Sequence, residues 1–462
     1  MHEGNGTAMI ARTQTALGRL VGMARGGGLR AQLVRGAMGS AGVQAASRVL
    51  ALVLGIILAR TLGPTGFGIY VYAFAIMSLL MVAAEAGVPT LLMREVAAAG
   101  AREEWGLVRG ALRRGVQFVA LVSVGLSGLG LIVLAWLGDG MEPAPFWTMA
   151  LMLLVLPLAA LGKTIAFALR GLHRVVTAQA LEMLLRPALV IAVVAAVFHF
   201  APDLRTPPTA MAAQLGAVAV MLLFAIARLK RVTPSAATAV PARFRSREWL
   251  KSALPFVLLG GAGVIKSQTD MVMIGWYMEG ENVGYYRVSV QGALLVVLGS
   301  QIANSVTAPQ FSKLHAIKDY RRLQILAVRS AQGMFLFALL VLATYLLAGE
   351  QLISWVFGVK YGRAYLPLVI LSFGHLIHAA FGSVDFLLNM TGHESRSASL
   401  FWQAAALNIV LNLALIPVAG EVGAATATAL SQLFWVVRMA SAVRKRLGIF
   451  PSILGGLLGK RS

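Results

Sequence analysis

Apolar runs of roughly 20 residues, separated by short polar breaks, recur along the chain from residue 39 to residue 443. A bilayer's hydrocarbon core takes about 20 helical residues to cross, so each run reads as a membrane span. The runs are continuous, which is the pattern of helices; a β-barrel would show alternating polar and apolar positions. Spans are predicted near 39–59, 67–92, 115–137, 146–169, 177–199 and 208–228. Six more are predicted near 249–275, 283–308, 327–348, 364–390, 397–419 and 422–443. The first two should form a hairpin around a tight turn over Arg60–Tyr70, because Gly63-Pro64 ends the first helix.

The only long polar break, 229–248, carries prolines and a run of basic residues and divides the spans six and six. Phe67-Gly68-Ile69-Tyr70 recurs as Val283-Gly284-Tyr285-Tyr286, 216 residues later and at the same place in the second set of six. Two bundles of six spans have the same orientation in the membrane, as in some secondary transporters, with substrate between them. The expected architecture is therefore all-α: a polytopic membrane protein with about 12 transmembrane helices in two pseudo-symmetric six-helix bundles. Residues 39–228 form the N-terminal bundle, 229–248 a cytoplasmic linker and 249–443 the C-terminal bundle. Basic cytoplasmic tails are expected over 1–38 and 444–462. The N-terminal stretch is Arg-rich with no apolar core ahead of a cleavage site, so it does not read as a removable signal.

Several spans contain charges. Arg48, Glu85, Lys163, Glu182, Arg186, Lys266, Asp270, Arg287 and Asp385 all fall inside them. Each costs about 2.5–3.5 kcal/mol at the centre of a membrane helix, so they must face protein or water, pair, or reach an interface. Glu182/Arg186 and Lys266/Asp270 are spaced i, i+4 and share a helix face, which suits either mutual neutralisation or a common site. With Arg48, Lys163, Arg186, Lys266 and Arg287 turned inward, a central cavity would be net positive. Guanidinium and ammonium groups in a low-dielectric enclosure suit the phosphate of a ligand with an anionic head and an apolar tail. Glu85, Asp270 and Asp385 are candidate counter-ions or coupling sites for a proton or sodium ion; structural pairing suits each of them as well.

Composition narrows the remaining classes. A mean hydropathy of +0.78, 58% hydrophobic and 13% charged residues lie far from the soluble range. There is no cysteine, which excludes disulfides, thiolate metal sites and cysteine nucleophiles. The seven histidines lack metal-site spacing, and His375/His378 read as interior packing. No catalytic residues, metal site or cofactor are expected. The net charge of +22 is mainly a topology signal. One set of connections, with both tails, holds thirty lysines and arginines; the opposite set holds only Arg60, Arg205, Lys360 and Arg363. By the positive-inside rule both termini are cytoplasmic, and the surplus favours anionic membrane lipids over nucleic acid as partners.

One group of motifs points further. Arg60-x-Leu62-Gly63-Pro64-x-x-Phe67-Gly68-x-Tyr70, then Glu85-Ala86-Gly87 and Arg94-Glu95, resembles the opening hairpin of the polysaccharide transporter (oligosaccharide flippase) family. That family includes O-antigen flippases and belongs to the multidrug/oligosaccharidyl-lipid/polysaccharide exporter superfamily. Leu388-Asn389-x-x-Gly392 and Asn408-x-x-x-Asn412-x-x-Leu415-Ile416-Pro417-x-x-Gly420-x-x-Gly423-Ala424-Ala425-x-Ala427-Thr428 resemble its closing helices. These motifs read as marks of the fold and its helix contacts, not of a substrate site. The family often has aspartate where Glu85 stands. The resemblance implies a flippase in the bacterial cytoplasmic (inner) membrane. It would move undecaprenyl-pyrophosphate-linked oligosaccharide to the outer leaflet by alternating access for lipopolysaccharide or other cell-surface polysaccharide, alongside polysaccharide-assembly proteins. A cation-coupled multidrug exporter shares the architecture and is the alternative. An enzyme is not expected, since the outer loops are short and no DxD-like pair occurs in the polar segments.

Overall fold

A computed structural model describes residues 29–455. Among these residues every regular element is helical. The first helix, α1 (Leu29–Glu85), folds at Gly63 into legs 29–62 and 64–85. Gly63 has φ +68°, which side-chain-bearing residues avoid, and Pro64 opens the next leg where its missing amide is not needed. The turn expected over Arg60–Tyr70 therefore contracts to one residue. The second leg also stops earlier than expected. Ala86 (φ 44°) and Gly87 (φ 74°) break it, and the chain resumes as α2 (Val88–Ala101).

Four further helices complete the first half: α3 (Trp105–Leu137), α4 (Pro143–Gly171), α5 (Val175–Phe200) and α6 (Pro207–Val232). Within α5, Leu181–Leu185 is a π-helical turn. The polar break holds the short α7 (Ser235–Ala239) and is tied to α3: the Arg243 amide donates to Gly106 O at 2.8 Å, and the Arg109 side chain donates to Val240 O at 2.8 Å.

The second half contains α8 (Ser246–Tyr277), bent by 43° between Val257 and Gly260, α9 (Gly280–Ala316) and α10 (Tyr320–Phe357). A 3-10 turn leads into α11 (Tyr365–Phe381) and α12 (Val384–Met390). Gly382 (φ 68°) separates these last two, so the span expected over 364–390 is broken. The last helix, α13 (Glu394–Leu447), folds at Gly420 into legs 394–419 and 421–447.

Nine helices among the described residues are long and apolar enough to cross a membrane, and α8 adds a tenth when its bent parts count as one span. Two of these, α1 and α13, fold into two legs of spanning length, which brings the crossings to twelve. The protein is a multi-pass membrane protein. Leu121 (76% exposed), Leu347 (85%) and Val418 (86%) lie on its outer surface, where an apolar belt of this kind needs lipid rather than water.

Helices α1–α6 pack chiefly on one another, with α4 at their centre, and α8–α13 do likewise around α9, α11 and α13. The groups meet where α1 touches α8 and α9, and where α2 touches α8. The recurring Gly-containing motifs meet each other there. A Cβ on Gly68 would overlap the Gly280 carbonyl, and a Cβ on Gly284 would overlap the Pro64 carbonyl. The two contacts exchange under the 216-residue offset, as a pseudo-two-fold axis between α1 and α9 requires. At the same end the Arg60 side chain donates to Val356 O (2.8 Å) and Trp355 O, and Tyr361 Oη donates to Ala59 O (2.9 Å). The halves are sealed at this end.

The described parts of the tails continue the helical body. Residues 29–38 extend α1, and beyond Leu447 the chain docks back: the Ile453 amide donates to Ala380 O at 2.9 Å, and Phe450 exchanges two hydrogen bonds with the Gln324 side chain. Residues 1–28 and 456–462 of the expected tails lie outside the described residues.

Candidate functional site

Below the sealed end lies a cavity of about 380 Å³ whose walls come from both halves. Ser47 and Tyr70 of α1, Arg186 of α5, Gln214 of α6, Gln268 of α8 and Arg287 of α9 line it. A second cavity of about 360 Å³ adjoins it toward the other end, lined by Glu85, Thr90, Lys163 and Phe256. Phe74, Glu182, Arg186 and Gln268 line both, so the two form one chamber between the halves.

The chamber's charges are unevenly neutralised. Lys163 Nζ lies 2.9 Å from Glu85 Oε2, and Arg170 lies 2.9 Å from Glu182 Oε2. Arg186 and Arg287, one from each half, have no carboxylate within 4.0 Å among the described residues. The i, i+4 pairing of Glu182 with Arg186 is therefore replaced by a link from α5 to α4. The π turn accounts for this: it adds a residue to the helix and changes the bearing of Glu182 relative to the residues beyond it.

Removing one member of the Lys163–Glu85 pair should destabilise the protein more than removing both. A double-mutant cycle with Lys163→Met and Glu85→Gln, read from unfolding in detergent, should give a coupling of about 0.5–3 kcal/mol. Zero coupling would show that the pair contributes nothing.

Asp270 faces the interior of the second half. Its carboxylate accepts from Tyr286 Oη, Thr428 Oγ1 and Asn412 Nδ2, each at 2.6 Å. Asn412 also donates to Asn408 Oδ1 at 3.1 Å, and Asn408 donates to Thr428 at 3.1 Å. Lys266, one turn away, makes no ion pair with it; its ammonium sits 4.6 Å from the Trp435 ring centre and 5.0 Å from that of Phe401. His378 stacks on Trp435 at 5.4 Å, and His375 Nδ1 meets Gln432 at 3.1 Å. Asp385 is on α12, with Oδ1 buried and without a hydrogen-bond partner among the described residues.

Of the sequence-predicted cations, the chamber thus brings together Lys163, Arg186 and Arg287. Lys266 belongs to the interior of the second half. Arg48 is exposed on α1 next to chamber-lining Ser47 and does not itself line the chamber. Of the three carboxylates, Glu85 is in the chamber, whereas Asp270 and Asp385 are not. In the sequence, the partners of Asp270 stand out only as motif positions, Asn408, Asn412 and Thr428 in the closing helices and Tyr286 in the repeat, and sequence reasoning misses their role. It also passes over the chamber's Gln214, Gln268 and Gln291. The available signal was an amide inside an otherwise apolar span, which needs a buried partner.

Residues 33–315, more than half of the chain, match the family described as polysaccharide biosynthesis protein. The chain belongs to that family. Similarity to individual relatives is more limited: the chain is 27% identical over 172 residues to the probable low-salt glycan biosynthesis flippase Agl15 of Haloferax volcanii. The match spans 37% of this chain and 36% of that protein's length, about a third of each. In fold, this member of the polysaccharide biosynthesis family resembles an inward-facing multidrug resistance MATE family transporter of the MOP superfamily, with a TM-score of 0.70 and 15% identity over 90% of this chain and 96% of the other. It also resembles the lipid II flippase MurJ in an inward closed conformation, with a TM-score of 0.67 and 13% identity over 88% of this chain and 87% of the other.

Proposed function

We propose that this protein is a flippase. It carries an oligosaccharide linked to a polyprenyl pyrophosphate, of the undecaprenyl type, from the cytoplasmic to the outer leaflet by alternating access. The observation that carries this reading is the pair Arg186 and Arg287, which reach one chamber from opposite halves with no carboxylate within 4.0 Å among the described residues. Two guanidinium groups match the oxygens of a pyrophosphate, and each half moves with its own arginine, so the grip changes as the halves rock. Lys163 would join when Glu85 releases it, and exposed Arg48 would meet the head on its way in. The apolar tail stays in lipid. The family match and the glycan flippase among its relatives support a transporter rather than an enzyme.

Coupling is assigned in this reading to Asp270. A carboxylate ringed by Asn408, Asn412 and Thr428 offers oxygen atoms that suit a sodium ion or a proton, and Asn412 Oδ1 is buried with no hydrogen-bond partner among the described residues. Lys266, one turn away on α8, and Asp385, on α12, belong to the same half. Both termini lie on the cytoplasmic side of the cytoplasmic membrane, as the basic connections require.

The test is translocation of undecaprenyl-pyrophosphate-linked sugar in proteoliposomes. Arg186→Ala and Arg287→Ala should each lower the rate about ten- to hundredfold, the worth of one charged hydrogen bond, while unfolding in detergent stays unchanged. A double variant that translocates normally would sink the proposal. The second reading, a cation-coupled multidrug exporter, is favoured by Glu85 and Glu182 in the chamber wall. It predicts that removing both arginines speeds export of a permanently cationic dye instead.

A further inference from the structure

Both ends of α13 come together at one end of the molecule, because the helix folds back at Gly420. There Arg396, from the first turn of one leg, and Arg438, Lys445 and Arg446, from the last turns of the other, surround a pocket of about 430 Å³ together with Ser441 and Ala442. Positions 438, 441, 442 and 445 fall at i, i+3, i+4 and i+7, so a single helix face supplies most of the lining. The positive-inside rule asks only that basic residues lie on one side of the membrane; it does not ask that they converge. Some basic residues elsewhere on this protein are neutralised by carboxylates, as Arg94 is by Glu95 and Arg322 by Asp319, whereas in this pocket Arg438 has only the Phe434 ring beside it. Around this pocket no carboxylate lines the wall, and none of its four cations forms an ion pair among the described residues. Four like charges facing one space repel each other unless an anion enters.

The neighbouring surface indicates which kind of anion. Leu430, Leu433 and Val437, on the same leg as Arg438, are 44%, 37% and 41% exposed, part of the apolar belt. The pocket therefore sits where lipid-facing side chains give way to basic ones. We propose that it binds the phosphate of an anionic phospholipid, whose acyl chains run down along Leu430, Leu433 and Val437. Arginine forks take the phosphate oxygens, and the N-terminus of the first leg beside Arg396 adds backbone donors. Seated there, the lipid would join the two legs of α13, the helix that also supplies Asn412 and Thr428 to Asp270. This assignment is independent of what the central chamber carries.

The test uses the whole chain in vesicles that contain spin-labelled phosphatidylglycerol or spin-labelled phosphatidylcholine, with the protein-associated fraction read by electron paramagnetic resonance. Each basic residue near a membrane surface is worth about fivefold in attraction for anionic lipid. Wild type should therefore retain phosphatidylglycerol at least about fivefold better than phosphatidylcholine, and Arg396→Gln/Arg438→Gln/Lys445→Gln/Arg446→Gln should remove most of that preference. Should the quadruple variant not fold, Arg438→Gln alone must still reduce the preference. A control set, Arg245→Gln/Arg247→Gln/Lys318→Gln/Arg321→Gln, should leave the preference in place. Three results overturn the proposal: equal retention of both lipids by wild type, an equal loss in the control set, or complete displacement of phosphatidylglycerol by inorganic pyrophosphate, which would make this a site for soluble phosphate.

Discussion

Substituting alanine at Gly68 or Gly284 should damage the protein far more than a one-carbon change usually does. At both positions the new Cβ would fall on a backbone carbonyl of the opposite half, and neither carbonyl can swing aside as a flexible side chain would. Overpacking of this kind costs about 1–3 kcal/mol, and here the cost falls on the contact that closes the two halves. Each variant should melt lower in detergent and lose transport. Because the contacts are related by the internal two-fold, the two losses should be similar. Gly216→Ala and Gly333→Ala are the matched comparisons, since a Cβ at either meets nothing within 4 Å. They should be neutral or stabilising by up to about 1 kcal/mol, from the lost freedom of glycine in a helix. Normal melting and transport by Gly68→Ala would show that the halves do not close at this contact.

Asp270 should give the second large effect, in two separable forms. Asp270→Ala leaves the Tyr286 and Thr428 hydroxyls without the acceptor they now share and the Asn412 amide with Asn408 alone, at about 1–3 kcal/mol for each stranded group, and should unfold the second half at a lower temperature. Asp270→Asn keeps the shape and one oxygen, so most of the stability should remain. In proteoliposomes its transport should no longer respond to an imposed sodium or proton gradient. Asp270→Asn with full gradient sensitivity would remove this residue from coupling and leave it a structural role only.

The hydrophobic pattern of the sequence reads out the fold closely, because twelve spans of bilayer length are dictated by the solvent rather than by side-chain detail. Breaks inside spans are harder to see. Ala86-Gly87 and Gly382 look like ordinary small residues in an apolar run, and only the backbone angles they adopt distinguish them from the many glycines that stay helical. The candidate site was legible in part. Residue type and depth indicate that Lys163, Arg186 and Arg287 must turn inward, but not whether inward means the space between the halves or the interior of one half. Lys266 shows the difference: its helix also carries chamber-lining Gln268, yet its own side chain lies among Phe401 and Trp435. Two residues along a helix are about 200° apart in bearing, so nearby polar positions on one span serve different compartments. Of the two arrangements that the Glu182/Arg186 spacing allows, mutual neutralisation does not form, since i, i+4 arithmetic assumes a regular α-helix and this stretch is not one.

That irregular stretch has a wider consequence. The π-helical turn at Leu181–Leu185 holds one residue more than an α turn would and stands immediately ahead of Arg186. Dropping that residue would restore even winding and rotate everything beyond it by about 100°, carrying the guanidinium away from the space it now faces without altering a single charge in the protein. The charge that α5 presents to a passing molecule thus depends on how this one turn is wound as well as on which residues it carries.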